Sequence, residues 1–166
     1  MCIPAYQALR VADSRITNSC FTNNTYGHDI GYQNKLFGPE VLEVSEEFLG
    51  MFDIPIVIGN LHSLDEPHSI MLNESMAKEM FGDQDPINQT ILYNRETELR
   101  VTGIFKDVPQ NSSFWFMALV PITYKGSNDE WLTNAMTNWN QFYPRVYVTV
   151  QQGSPLEEIN RRSRIC

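Results

Sequence analysis

The stretch from Ile70 to Gly82 constrains the fold of this chain more than any other part of the sequence. Ile70–Leu72 is a short apolar run, and Asn73 follows it as a preferred residue for capping the N-terminus of a helix. Apolar residues then recur at helical spacing, and Gly82 follows as a residue suited to the left-handed conformation that ends many helices. These apolar positions are Met76, Ala77, Met80 and Phe81. A strand that passes directly into an amphipathic helix predicts a sheet with helices packed on it.

Further strands and helices are predicted on both sides of this unit. Two apolar runs joined by the polar turn Asn94–Glu98 indicate a β-hairpin over residues 91–106. Single strands are predicted for residues 5–16, 41–44, 54–58, 113–123 and 143–151, and helices for residues 46–52 with Ser45 as the N-cap, 129–139 and from Ser154 onward. Residues 18–34 are rich in Asn, Thr and Gly and are predicted to be a loop or a polar hairpin. This mixture predicts the α+β class, with mixed sheets and helices packed on them.

Length and charge limit the class of protein. The 166 residues, of which 42% are hydrophobic, are enough for one domain with a buried core. A net charge of −8 lacks the basic footprint that nucleic-acid binding requires, so nucleic acid is excluded as a partner. The longest apolar stretch, Phe114–Ile122, is broken by Pro121 and is shorter than the roughly 20 residues that span a bilayer. Both ends are interpreted as cuts through a longer protein.

No motif in the sequence supplies a reactive group. The chain lacks the phosphate-binding, dinucleotide-binding, zinc-protease and nucleophile-elbow motifs. The loop that contains His62 and His68 is predicted to be solvated, because a metal site needs a preformed geometry. Two pairs of adjacent acids, Glu46 with Glu47 and Glu157 with Glu158, lie in predicted first turns of helices, where carboxylates are favoured anyway. The sequence therefore predicts no catalytic, cofactor-binding or metal-binding residues, and no cofactor.

Two other classes of protein stay open at this stage. Scattered acids and an aromatic surface are compatible with a secreted carbohydrate-active hydrolase, which needs two carboxylates roughly 5–10 Å apart in a cleft. Convergence of Trp115, Trp131 and Trp139 on one groove would instead indicate an aromatic-lined ligand-binding module. The cysteines Cys2, Cys20 and Cys166 have no zinc-ligand spacing, and the sequence leaves open whether any of them form a disulfide.

Three segments in order resemble the periplasmic core domain of MacB/FtsX-like ABC-transporter permeases. The segment Val44–Ile56 (VSEEFLGMFDIPI), with Gly59 after it, is similar to the family pattern V-S-x-x-F-F-x-x-F-x-x-P-L-x-x-G. Ile70–Gly82 (IMLNESMAKEMFG), with Pro86-Ile87 and Ile91 after it, resembles the next family segment, although Asn88 follows the Pro-Ile pair where the family commonly has a glycine. Val101–Pro109 (VTGIFKDVP), followed by Asn111–Phe114, resembles V-x-G-V-x-x-D-x-P-x-x-S-x-F. The residues in these segments resemble those of the Bacteroidota branch of the family.

The resemblance implies a role without chemistry in this domain. It implies the periplasmic part of a bacterial inner-membrane protein, with ATP hydrolysis in a separate cytoplasmic domain. The implied partners are the transmembrane helices of the same permease and a cytoplasmic ATPase, with a homodimer in the full-length transporter and a periplasmic adaptor as a further partner. The residues carried over as fold-defining are Phe48, Phe52, Pro55, Gly59, Asn73, Ala77, Phe81, Gly82, Gly103, Asp107 and Pro109.

The resemblance also implies an architecture of two lobes. A porter-like lobe is expected to combine residues 1–43 with residues 122–166, and a smaller inserted lobe to comprise residues 44–121. This division requires the strand at Tyr143–Val150 to pair with part of the first 43 residues. If the domain connects two transmembrane helices, the residues near Met1 and Cys166 are expected to approach the same membrane face.

Overall fold

The computed structural model describes residues 8–9, 11, 13–25, 27–112, 114–125, 130, 134, 137–138, 145–155 and 157–159. Within these ranges, ten strands form one mixed sheet. The strands are β1 (Ile16–Thr25), β2 (Ile30–Tyr32), β3 (Lys35–Phe37), β4 (Val41–Val44), β5 (Ile56–Ile58), β6 (Ser69–Asn73), β7 (Thr90–Tyr93), β8 (Thr97–Phe105), β9 (Ala118–Pro121) and β10 (Arg145–Val150). The sheet is accompanied by the helices α1 (Phe48–Met51) and α2 (Glu74–Phe81) and by a 3₁₀ turn at Ile122–Lys125, and the described parts of the end segments contain further helical residues.

The strand order is β10-β1-β4-β9-β6-β8-β7-β2-β3, and β5 pairs with β8. The β4–β9 and β6–β8 pairs are parallel, whereas the other pairs are antiparallel. The β7–β8 hairpin, the loop before β6 and the strand–helix unit β6–α2 are where the sequence predicts them. The predicted α+β class is therefore confirmed, as a single mixed sheet with few helices.

Hydrophobic clusters cover both faces of the central strands. Successive side chains on a strand point to opposite faces. On β6, Ile70 and Leu72 accordingly join the cluster beneath α2, and Met71 joins the cluster beneath α1. Every residue of β4, β6 and β9 is buried. Coverage on both faces explains why these strands contain consecutive apolar residues, Val41–Leu42, Ile70–Leu72 and Ala118–Val120, rather than a strict alternation.

Helix α2 forms as its sequence predicts. Asn73 has extended backbone, and its side-chain oxygen accepts a hydrogen bond from Met76 N at 2.9 Å. Gly82 follows the last turn with φ +64°. Asn88, which replaces the glycine common in the family, has φ +63°, a conformation that asparagine tolerates better than most residues. The turn is therefore kept despite the substitution.

The secondary structure differs from the sequence-based prediction in two segments of the N-terminal part. Within the predicted strand 5–16, Ala8, Leu9 and Val11 are helical, because apolar residues there fit a helical spacing as well as an alternating one. Within the predicted loop 18–34, residues up to Thr25 belong to β1, and the hairpin β2–β3 begins only at Ile30. The polar side chains of β1 give no strand pattern in the sequence. The strand forms because its backbone N–H and C=O groups pair with the neighbouring strands β4 and β10.

Ser45 does not cap α1. Glu47 occupies the N-cap position of that helix without a side-chain hydrogen bond. The Ser45 hydroxyl instead accepts a hydrogen bond from Phe21 N at 3.2 Å, and Ser45 N donates to Phe21 O at 3.1 Å. Ser45 therefore extends the contact between β4 and β1 by one residue, which a local capping rule does not anticipate.

Strand β10 pairs with the N-terminal part of the chain. Its register with β1 runs from Ile16↔Val150 to Thr22↔Arg145, and β1 in turn pairs with β4. This is the pairing that the expected porter-like lobe requires. The division into lobes of 1–43 with 122–166 and of 44–121 remains a prediction. Of the predicted helix 129–139, Glu130, Asn134 and Thr137 are helical and most other residues lie outside the described part of the chain.

Candidate functional site

The residues predicted to define the family fold lie in three places. Five of them border one apolar groove, four form or flank α2, and two glycines meet where β5 pairs with β8. The groove residues are Phe48, Phe52, Pro55, Asp107 and Pro109; the α2 residues are Asn73, Ala77, Phe81 and Gly82; the glycines are Gly59 and Gly103. Their role as a family motif remains a prediction, but each has a definite structural position.

The apolar groove lies between α1 and the segment that follows β8. Phe48 of α1 is buried, and the ring of Phe52 lies 4.8 Å from it between centroids. Phe114 packs against Phe52 at 5.3 Å, and Phe116 against Phe48 at 6.3 Å. These rings wall an open cavity of about 390 Å³. Aromatic walls of this kind accommodate apolar groups, and Lys106, Asp107 and Ser112 add polar atoms to the lining.

Asp107 connects the rim of the apolar groove to α2. Its Oδ1 accepts a hydrogen bond from Ser75 N at 3.0 Å, and the Ser75 hydroxyl donates to its other carboxylate oxygen. Ser75 lies in the first turn of α2, where backbone N–H groups have no partner within the helix and the helix dipole favours a negative charge. Asp107 thus supplements the cap provided by Asn73 from a distant part of the chain.

We expect Asp107→Ala to lower the free energy of unfolding by about 1 kcal/mol, the usual effect of losing a capping acceptor. Denaturant unfolding at constant pH measures the change. Asp53→Ala is the matched control, because Asp53 is also an exposed carboxylate at the groove but is not among the described residues that bond α2. The control is expected to change the free energy by less than about 0.5 kcal/mol. Equal losses in both variants would contradict the capping role.

A polar cavity on another part of the sheet bears on the hydrolase hypothesis. This cavity of about 850 Å³ is lined by residues that include Glu66, Glu96 and Glu98. All three carboxylates are exposed, and Glu66 forms an ion pair with Arg100. The general acid of a glycoside hydrolase lies in an enclosed, partly apolar site, whereas these three side chains are open to solvent. The polar cavity therefore does not support hydrolysis.

The histidine loop and the tryptophans, which the sequence offered as metal-binding and ligand-binding candidates, form no site among the described residues. His62 bonds Asp65 at 2.9 Å with 81% of its side chain exposed, and no group of three or more potential ligands that could hold a metal ion occurs within the described ranges. Trp115 is 44% exposed, while Trp131 and Trp139 lie outside the described residues, as do Met1, Cys2 and Cys166. The alternative of a ligand-binding module, which requires the three tryptophans to converge, therefore concerns residues that lie partly outside the described chain.

Cys20 is a free thiol in the centre of β1. It is fully buried, and burial together with the nearby Glu47 carboxylate raises its pKa to about 12. Nucleophilic cysteines instead have lowered pKa values in partly exposed positions, because the thiolate is the reactive form. Cys20 is consequently a packing residue.

We expect iodoacetamide at pH 8 to leave Cys20 unmodified in the folded chain and to alkylate it in urea. Peptide mapping by mass spectrometry distinguishes Cys20 from the other cysteines. Because the thiol ionises near pH 9 when unfolded and near 12 when folded, its contribution to stability should decline as pH rises from about 9 towards 12. Rapid alkylation under native conditions would show that the Cys20 thiol is accessible and that burial does not limit its rate of alkylation.

The resemblance implied that the two end segments meet, but no pattern in the sequence predicted which residues join them. Leu9, Ile16 and Ile159 form one buried cluster, with Val146 and Val150 packed against it. Next to this cluster, the Arg15 guanidinium bonds the carboxylates of both Asp13 and Glu158. The described parts of the N-terminal and C-terminal segments thus lie side by side. No local pattern in the sequence predicts the contact between Arg15 and Glu158, because the two residues are 143 positions apart.

No helix within the described ranges has the length and apolar composition needed to cross a lipid bilayer. The protein-family model of the MacB-like periplasmic core domain matches residues 5–164 of this chain. Curated protein sequences give no match.

The solved structures that resemble this fold include domains of three transport proteins. One is a domain from Porphyromonas gingivalis described as part of a permease, with a TM-score of 0.81 and 22% identity, covering 96% of this chain and 73% of that one. The periplasmic region of MacB from Actinobacillus actinomycetemcomitans has a TM-score of 0.69 and 16% identity, with 98% and 71% covered. The extracellular domain of the noncanonic ABC-type transporter YknZ from Gram-positive bacteria has a TM-score of 0.72 and 11% identity, with 98% and 80% covered.

Proposed function

Because the chain belongs to the family of MacB-like periplasmic core domains, we propose that it transmits ATP-driven conformational change in an ABC transporter permease to substrate export or to periplasmic partners. The domain itself is periplasmic and forms part of an inner-membrane ABC permease. In this proposal it carries no catalysis, and ATP is hydrolysed in a separate cytoplasmic domain. The Porphyromonas relative agrees with the resemblance to the Bacteroidota branch.

The observation that carries the proposal is the meeting of the two end segments. Leu9 and Ile159 share one buried cluster beside the β1–β10 pair. A domain connected to two neighbouring transmembrane helices needs both connections to leave from one side. The side-by-side arrangement of the described end segments supports this geometry, and we propose that the continuous sheet carries a displacement at that side to distant surfaces.

The partners follow from the same proposal. ABC permeases with domains of this family have transmembrane and ATPase partners. We propose that the full-length permease is a homodimer in which the two copies of this domain change their separation as the ATPases close, and that an adaptor in the periplasm responds. Coupling of this kind requires two states with different contacts, so it is testable as a distance change.

Spin labels on Glu79, an exposed residue of α2, test the proposal in the full-length permease. The distance between dimer-related labels is expected to differ between the nucleotide-free and ATP-bound states. With an ATPase subunit that binds but does not hydrolyse ATP, the label distance should stay at its ATP-bound value. With an ATPase subunit that cannot bind ATP, the distance should stay at its nucleotide-free value. A distance that stays constant through the cycle would overturn the proposed transmission.

A further inference from the structure

One arginine connects the two end segments of the described chain. The Arg15 Nε and Nη2 atoms donate to the two carboxylate oxygens of Asp13 at 2.8 and 2.6 Å, and Nη1 donates to Glu158 at 2.9 Å. Asp13 precedes β1, and Glu158 lies in the helical turn that follows β10. We call this group of three residues the Arg15 bridge.

The surroundings of the Arg15 bridge favour a defined geometry. The Asp13 side chain is only 5% exposed, and that of Arg15 is 23% exposed. Arg15 N also donates to Asp13 Oδ1, while Gln151 N donates to Arg15 O at 2.9 Å. The backbone and the side chain of Arg15 therefore both contact the C-terminal segment. The two carboxylates raise the pKa of Arg15 above its usual value, so the guanidinium stays charged at every physiological pH.

The chemistry of arginine suits this position. A guanidinium presents donors in a planar fork and binds a carboxylate through two parallel hydrogen bonds, with further donors left for a second acceptor. Asp13 takes the paired donors and fixes the plane of the fork, which directs Nη1 at Glu158. Exposed single ion pairs contribute little, but a bidentate pair that orients a second contact is an exception on geometric grounds.

We propose that the Arg15 bridge is a coupling element that makes the two segments connecting this domain to the membrane move as one body. This inference rests on the proposed function, because it assigns those segments to the connections with transmembrane helices. The apolar cluster of Leu9, Ile16 and Ile159 supplies non-directional adhesion, whereas the bridge fixes the orientation of one segment relative to the other. In this proposal, loss of the bridge removes the side-chain contact that orients the helical turn at residues 157–159 relative to Arg15, and the turn gains freedom to rotate.

The test uses spin labels at Val11 and Glu157 of the same copy in the full-length permease. Both residues are exposed, and Val11 is 90% exposed. Labelled permease is diluted with unlabelled permease so that only distances within one copy are measured. The distribution is expected to be narrow and independent of nucleotide in the native protein. Glu158→Gln, which removes one charge but keeps the side-chain shape, is expected to broaden it, while Lys78→Gln, which breaks the exposed pair with Asp83, leaves it unchanged.

The outcomes separate this inference from the proposed function. A distribution as narrow in Glu158→Gln as in the native protein would overturn the coupling role. If the distribution broadens but the distance between dimer-related Glu79 labels never changes with ATP, the bridge still orders the two segments and the proposed transmission fails. Hydrogen exchange in β6 and β8 should be the same in all variants. Faster exchange there in Glu158→Gln would mean that the whole domain is destabilised and would also overturn a local coupling role.

Discussion

Phe81→Ala is expected to lower the free energy of unfolding by about 3–5 kcal/mol, the usual cost of truncating a buried aromatic residue to alanine. Phe81 is 5% exposed and lies at the C-terminal end of α2. Its ring packs edge-on against Tyr32 of β2, with centroids 4.5 Å apart. The truncation therefore removes contacts between the helix and the distal hairpin β2–β3 and leaves a cavity that the sheet cannot close, because β-sheet hydrogen bonds fix the position of its backbone.

Denaturant titration followed by circular dichroism measures this loss. Glu79→Ala is the control, because Glu79 lies on the same helix and is exposed. We expect it to change stability by less than about 0.5 kcal/mol, as surface substitutions usually do. A loss below about 1 kcal/mol in Phe81→Ala would show that α2 packs loosely and would place the main core on the α1 side of the sheet.

Gly59→Ala is expected to be nearly as disruptive, at about 3 kcal/mol, because it combines overpacking with backbone strain. Gly59 has φ +100°, and a Cβ added there would lie 3.0 Å from Thr102 O and 3.1 Å from Gly103 Cα. It would also lie 2.5 Å from Ser63 Oγ, which accepts a hydrogen bond from Asn60 N. The backbone atoms belong to β8 and cannot move without disturbing its pairing with β5.

Gly82→Ala separates the two contributions. Gly82 also has positive φ, at +64°, but an added Cβ there would have no heavy atom within 4 Å. Gly82 has ψ −117°, so its backbone lies in a sparsely populated region, and this variant should lose only about 1–2 kcal/mol from backbone strain without overpacking. Thermal or denaturant unfolding of both variants measures the difference. Equal losses at the two positions would mean that the β5–β8 contact yields to accommodate the methyl group.

Local signals in the sequence were sufficient for part of this fold. The cap at Asn73, the apolar face of α2 and the glycine at its end act within a few residues of one another, so their energetics are present in the sequence itself. The β7–β8 hairpin is likewise local, since its strands are joined by a short polar turn. The ordered segments that resemble MacB-like domains belong mostly to these elements, which is why the family was recognisable.

Local signals failed where a structure depends on distant partners. Strand β1 is polar in sequence, yet β10 and β4 flank it and bury residues such as Ser19 and Thr22. Ser45 fits a capping rule, but its hydroxyl bonds Phe21 instead of a helix. In both cases a tertiary contact supplies the hydrogen bonds that a local rule assigns elsewhere.

The sequence by itself determined the α+β class, the strand–helix unit ending at Gly82 and the absence of known catalytic motifs, because propensity, capping and spacing act over a few residues. Only the tertiary structure decided which distant residues form sites. The apolar groove exists because the antiparallel pairing of β5 with β8 brings Pro55 beside the segment that follows Phe105. The Arg15 bridge exists because β1 and β10 are neighbours in the sheet. Strand pairing between distant segments depends on the whole core, so no local pattern in the sequence encodes it.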